Sequence, residues 1–197
     1  MPRKNKRNTK GKIIKAAWKL FYEQGYEETT IEDIIYESHT SRGSFYHYFK
    51  GKDALLGTLA DLFDEEYSRL AEDLNEEMSV LDQLLFLNHA LFSMIEESIS
   101  RDLLARLLST QLLAPGKKQL LDRNRTYFRL LRKICDQGIA DKTLKTSLSS
   151  GEIIKAYALW ERALLYDWCL CEGDYSLKVY SGMVTPRFLR SLLDEQE

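Results

Sequence analysis

Apolar residues recur at three- and four-residue spacing along almost the whole chain, and no stretch alternates apolar with polar side chains between turn dipeptides. That pattern restricts the chain to an all-α fold, because a 3.6-residue repeat places its apolar side chains on one stripe of a helix and on both faces of a strand. The first stripe, Ile14, Ala17 and Phe21, widened by Ile13 and Leu20, predicts a helix over 12–24. Gly25 ends it, and Tyr26 is expected to pack back on Phe21. Thr29 with Glu32 spells a capping box for a second helix ending near Glu37, and Thr30 with Asp33 spells a weaker one. Ser38-His39-Thr40 is a three-residue turn, after which Ser41 caps a very short third helix, Arg42 to Tyr48. Lys50-Gly51-Lys52-Asp53 breaks the pattern before a long helix over 53–75, striped by Leu55, Leu56, Leu59, Leu62, Phe63, Tyr67 and Leu70. Five further helices are expected at 79–98, 101–113, 117–138, 149–172 and 175–194, about nine in all. Among the breaks between them are Ala114-Pro115-Gly116 and the stretch from Gly138 to Ser150, and Pro186 is expected to start or kink the last helix.

Charge divides the chain unevenly. Of 197 residues, those up to Lys52 carry 11 Lys+Arg against 6 Asp+Glu, a net +5, and the remainder carries 17 against 24, a net −7. A basic first quarter on an acidic remainder suggests a polyanion-binding head and a body with another task. No run approaches the roughly 18 apolar residues of a membrane span, and the basic N-terminus has no apolar segment behind it. Three cysteines, Cys135, Cys169 and Cys171, suit a reducing cytoplasm better than a disulfide framework. Cys169 and Cys171 point about 200° apart on a helix and cannot jointly grip a metal. The pairs Glu65-Glu66, Glu76-Glu77 and Glu96-Glu97 read as solvated helix faces, as does the basic run Arg123, Arg125, Arg129, Arg132 and Lys133, and no nucleophile, phosphate-loop or metal pattern stands out. No enzyme, metal or cofactor is therefore expected.

Two short helices joined by a three-residue turn behind a longer one form a helix-turn-helix pattern. Its geometry lays the third helix in the major groove while the second braces on the backbone. Ile31, Ile34 and Ile35 can face Phe45 and Phe49, with Ile14, Ala17 and Phe21 beneath. Ser41, Arg42, Ser44, Tyr46, His47 and Tyr48 all donate hydrogen bonds with no acidic residue among them, and Gly43 permits close approach to DNA. Arg42 is the candidate for a bidentate contact with guanine, whereas Thr30, Tyr46, Tyr48 and Lys52 suit phosphates. The arm of Arg3, Lys4, Lys6, Arg7 and Lys10 can reach neighbouring phosphates or a minor groove.

The stretch from Lys12 to Leu56 resembles the DNA-binding domain of TetR (tetracycline repressor) family transcriptional regulators. The resemblance rests on Ile-Ile-Lys-Ala-Ala-Trp-Lys-Leu-Phe (13–21), Gly25-Tyr26, Thr29-Thr30-Ile31-Glu32-Asp33-Ile34, Ser41-Arg-Gly-Ser-Phe-Tyr-His-Tyr-Phe (41–49) and Lys52-Asp-Ala-Leu-Leu. His39-Thr40 stands where the family usually has Gly-Val, and a left-handed His39 costs more than glycine, so an altered turn or a His39 side chain aimed at DNA is expected; Phe45 replaces the more usual Leu. The resemblance implies a DNA-binding domain over 1–52 and a helical effector-binding and dimerisation domain over 53–197. It implies a cytoplasmic homodimer, a repressor, reading a palindromic operator through recognition helices about 34–36 Å apart and released by an unknown small-molecule effector. The alternatives are an activator, or a nucleoid- or segregation-type DNA-binding protein without an effector. Polar residues set among apolar ones nominate Asn88, His89, Gln111, Tyr127 and Trp160 for the effector pocket. Apolar residues of the last two helices, Tyr157, Leu164, Trp168, Phe188 and Leu192, are expected in the dimer interface.

Overall fold

The computed structural model of the chain describes residues 3–75, 77–113, 118–144 and 146–193, with side chains from Thr9 onward. Every regular element among them is helical: α1 (Arg3–Glu23), α2 (Ile31–Glu37), α3 (Arg42–Tyr48), α4 (Asp53–Leu56), α5 (Leu59–Asp73), α6 (Val80–Ser98), α7 (Arg101–Leu113), α8 (Thr126–Ala140), α9 (Ser150–Leu170) and α10 (Leu177–Leu193), with one 3-10 turn at Gln119–Leu121. The nine expected helices are present, one of them divided into α4 and α5, while the one expected over 117–138 begins only at Thr126, behind the 3-10 turn. The division falls at Gly57-Thr58, where the Leu55 carbonyl accepts from both the backbone N–H (2.9 Å) and the hydroxyl (2.6 Å) of Thr58. Trp18 Nε1 in turn donates to that hydroxyl at 2.8 Å.

Local chemistry fixes the other boundaries. The cap of α2 is Thr30, not Thr29: Thr30 accepts from Asp33 N, and the Asp33 carboxylate accepts from Thr30 N. Thr29 is fully buried and donates its hydroxyl to the Gly25 carbonyl at 2.7 Å. Gly25 has φ +88°, the left-handed conformation that ends a helix most easily as glycine. The rings of Phe21 and Tyr26 meet at 5.0 Å, as expected. α1 begins at Arg3, well before Lys12, so the backbone of the basic arm is helical. Gly138 is no helix breaker: it is buried inside α8, where a Cβ would collide with Val80 Cγ2 and lie 3.2 Å from Leu144 Cβ. Pro186 lies within α10, which neither starts there nor stops. The expected Ala114-Pro115-Gly116 break lies outside the described residues.

Two hydrophobic cores result. The first gathers Ile13, Ala17, Phe21, Tyr26, Ile34, Phe45, Phe49, Leu55, Leu56 and, from α7, Leu103. It therefore extends past Lys52 to the end of α4. The second runs from Leu59 to Leu193 across α5–α10. Trp18 and Ile99 are half-buried against both.

Candidate nucleic-acid interface and internal cavity

α1, α2 and α3 pack around Ala17, Phe21, Ile34, Phe45 and Phe49, while Ile14, Ile31 and Ile35 close the edges of that core. Burying Phe45 and Phe49 turns the opposite side of α3 outward. Ser41 caps the helix by accepting from Ser44 N at 3.1 Å. Arg42, Gly43, Tyr46 and His47 are exposed, Thr30 is exposed at the start of α2, and Ser44 and Tyr48 are half-buried. His39 takes φ +51° in the turn, where glycine would be less strained. Among the described residues nothing demands glycine at 43, since the one atom a Cβ there would meet is Ser41 Oγ at 3.9 Å.

Arg42 makes a 3.3 Å ion pair with Glu32, and its guanidinium stands 5.9 Å from the Tyr46 ring centroid. Both charged side chains are exposed, and such pairs contribute about 0–1 kcal/mol, so the pair does not tie up the arginine. Glu32, Tyr36 and His39 border the same depression as Arg42, and of these sequence reasoning did not nominate Glu32 or Tyr36.

Lys52 is engaged elsewhere. Its ammonium donates to the carbonyls of Tyr26 (2.6 Å), Thr29 (2.9 Å) and Glu27 (3.2 Å) and lies 4.3 Å from the Tyr26 ring centroid. It ties α4 to the α1–α2 connection, and its three protons are all directed at backbone oxygens. Tyr26 also donates to the Asp53 carboxylate. Lys52→Ala is thus expected to lower the stability of the head by about 2 kcal/mol, the scale of hydrogen bonds from a charged donor. Thermal denaturation checks this, and an unchanged melting point alongside a flattened salt dependence of DNA binding would restore the phosphate role.

In the body, Phe63, Tyr67, Leu91, Leu104, Leu107, Leu108, Leu120, Arg125, Tyr127, Ala158, Glu161, Arg162 and Leu165 line a cavity of about 50 Å³. Its polar centre is Glu161, a buried carboxylate on α9 that accepts from Asn88 Nδ2 at 3.0 Å and from the Tyr127 hydroxyl at 2.7 Å. Burial raises the proton affinity of Glu161, and the bonds from Asn88 and Tyr127 oppose that rise. Burial likewise pushes the Tyr67 and Tyr127 phenols up. Asn88 and Tyr127 are thus brought together, and Glu161 is the group that unites them.

The other pocket candidates lie elsewhere. His89 is exposed, one residue round the helix from Asn88. Gln111 Oε1 accepts from Leu120 N at 3.2 Å and joins α7 to the 3-10 turn. Trp160 stacks on Phe188 at 4.4 Å and donates to Thr185 Oγ1 at 3.0 Å, joining α9 to α10. Neither residue lines the cavity. The basic run on α8 also divides: Arg125 is half-buried and pairs with Asp64, with Nη2 to Oδ1 at 2.9 Å and Nε to Oδ2 at 3.2 Å. That same carboxylate accepts from Thr126 N and Tyr127 N, capping α8 from another helix.

Three of the expected interface residues, Tyr157, Leu164 and Trp168, are buried in the chain's own core, and Phe188 and Leu192 are half-buried against it. The Tyr157 hydroxyl donates to the Leu84 carbonyl and the Trp168 indole to the Tyr175 carbonyl, so both are internal struts. The outward stripe of α9 is instead Leu159, Tyr166 and Leu170, exposed to 63, 51 and 62%, and that of α10 is Val179 and Met183, at 68 and 52%.

Residues 13–59 match the family described as bacterial regulatory proteins, tetR family. This stretch is thus similar to the DNA-binding domain of TetR-family regulators. An uncharacterized HTH-type transcriptional regulator of Lactococcus lactis subsp. lactis is 50% identical over 48 residues, which span 24% of each chain, so the match covers about a quarter of that relative's length. Among solved structures, a TetR-family transcriptional regulator from Pectobacterium atrosepticum superposes over the whole of both chains with a TM-score of 0.76 at 16% identity. The regulator FadR from Bacillus subtilis, solved with stearoyl-CoA, covers 94% of this chain and all of its own with a TM-score of 0.70 at 21% identity. The TetR fold therefore extends over the body as well as the matched domain. No described helix is long and apolar enough to cross a membrane, and no described cluster of His, Cys, Asp and Glu could hold a metal.

Proposed function

We propose that the chain is a ligand-responsive transcriptional repressor that binds a palindromic operator as a cytoplasmic homodimer and leaves it when a small molecule enters the body. The observation that carries this reading is the outward face of α3, where Arg42, Gly43, Tyr46 and His47 stand exposed around a helix held from behind by Phe45 and Phe49. Donors of that kind, presented near the start of a short helix, suit the edges of bases and the adjoining phosphates. Thr30, Ser41, Ser44 and Tyr48 belong to the same surface, whereas Lys52 serves it indirectly by fixing α4 to the head. The exposed stripes of α9 and α10 are the dimer contact in this reading, replacing the buried residues expected there.

α7 supports the ligand response, because it touches both parts. Leu104, Leu107 and Leu108 line the cavity, while Leu103 enters the head's core. Arg106 pairs with Glu27 and stands 5.0 Å from the Tyr26 ring centroid. A ligand that displaces α7 thereby displaces the head, provided that it binds the non-DNA-binding arrangement more tightly. Stearoyl-CoA is the ligand of the Bacillus subtilis protein, and a cavity of about 50 Å³ has no room for such a chain in this arrangement.

Selection of duplexes from a random pool by the purified chain tests the reading. An enriched inverted repeat supports a dimeric sequence reader, and uniform, salt-sensitive binding contradicts it. On the selected site, Arg42→Ala is expected to relax preference at one position per half-site by about 1–3 kcal/mol. Equal weakening on all sequences would make Arg42 a phosphate contact.

A further inference from the structure

The cavity in the body is apolar apart from a few groups, and those groups are not balanced in charge. Glu161 is buried, and the groups gathered on it, the Asn88 amide and the phenols of Tyr127 and Tyr157, are neutral. Two arginines share the lining. Arg125 is neutralised by its two-pronged pair with Asp64. Arg162 also lines the cavity but is half-exposed, so its charge is largely screened by solvent. A buried carboxylate without a close cation is costly unless a partner of opposite charge arrives.

A second group points the same way independently. Tyr67 is buried to 1% exposure and lines the same cavity. Among the described residues, no group lies within hydrogen-bond reach of its hydroxyl. An orphaned buried hydroxyl is uncommon in folded proteins and marks a place where another polar atom belongs. The rings of Tyr67 and Tyr127 stand 5.0 Å apart at 49°, with Phe63 also in the lining, so aromatic rings wall the cavity that holds the carboxylate. Rings beside a carboxylate favour a cation and resist an anion.

Building on the proposed effector role of this cavity, we propose that its ligand is a small apolar organic amine whose ammonium donates to the Glu161 carboxylate and the Tyr67 hydroxyl oxygen. The leucines of α7 and Leu91, Leu120 and Leu165 receive the hydrocarbon part. The cavity of about 50 Å³ takes only a few heavy atoms as it stands, so a ligand the size of benzylamine enters as α7 yields, the displacement that the effector role requires.

Calorimetric titration of the full chain without DNA tests this with benzylamine, benzyl alcohol and benzoate, three probes of one shape and three charges. Benzylamine is expected to bind on the order of tenfold or more tightly than the other two, and Glu161→Gln is expected to remove that advantage. Tyr67→Phe, which removes only an unpartnered hydroxyl and leaves the fold intact, is expected to weaken benzylamine several-fold. Melting curves of the unliganded variants establish that each is folded. Preferred binding of benzoate, lost in Arg162→Ala, overturns the proposal in favour of an anion site. Equal binding of all three probes, or of none, overturns it as well. Because the titration needs no operator, its failure leaves the DNA-binding reading untouched. Amine binding that does not alter operator affinity supports the ligand class and removes only the effector role.

Discussion

Phe45→Ala is expected to unfold the head of the protein while the body stays folded, and so to abolish DNA binding on every sequence. Phe45 is fully buried, packs on Phe49 at 5.9 Å and on Tyr46 at 5.4 Å, and closes the core that orients α3. Truncating a buried phenylalanine costs about 3–5 kcal/mol. A core assembled from fewer than 60 residues supplies roughly 3–8 kcal/mol in total, so this one substitution removes most of it. Limited proteolysis coupled to mass spectrometry checks the result: cleavage should concentrate before Thr58 and spare α8 and α9. Uniform protection of the variant, with DNA binding retained, would show that the two cores do not separate in the way their residues suggest.

Asp64→Ala is expected to have the largest effect in the body, lowering its stability by about 2–4 kcal/mol. Its carboxylate balances Arg125 and closes the start of α8 through Thr126 N and Tyr127 N, both at 3.3 Å. The Arg125 and Asp64 side chains are only 12 and 19% exposed, so the pair is much less screened than a surface pair. Removing the acid strands a half-buried guanidinium at the cavity wall and uncaps a helix. Chemical denaturation measures the loss. Asp64→Asn should recover part of it, since an amide oxygen still caps, and identical losses for Ala and Asn would assign the whole effect to charge.

The head was largely legible because its signals are local. Gly25 and the Thr30 and Ser41 caps each act within four residues of themselves, and sequence spacing reports that range. The cap moved by one residue because Thr29 and Thr30 each have an acid three positions on, and only packing decides which threonine turns inward. Lys52 escaped because its acceptors are carbonyls 23 to 26 positions upstream, invisible to any side-chain pattern. The break at Gly57-Thr58 escaped because the leucine stripe runs through it unbroken, and the group that stabilises the bend is Trp18, 40 positions away. α9 is apolar on two faces, and periodicity singled out the Tyr157–Leu164–Trp168 row without showing that this row meets the core and that Leu159, Tyr166 and Leu170 face outward. Glu161 is the clearest omission. A single acid in a helix reads as solvated, and its partners Asn88 and Tyr127 come from two other helices, 73 and 34 positions away.

The two cores have a consequence for building hybrids. Because the head closes its own core through Leu56, it is a transplantable reader whose seam with the body can be written down in a few residues. Trp18 requires the Thr58 hydroxyl, Glu27 and Tyr26 require Arg106, and Phe21 and its neighbours require Leu103 to fill the wall between them. A fusion joined at Lys52 would cut α4 from its core and leave Leu55 and Leu56 to a foreign helix. A fusion joined after Thr58 that also carries over Leu103 and Arg106 keeps every one of those joints, and under the proposed function a foreign sensor grafted there would inherit this head's DNA preference.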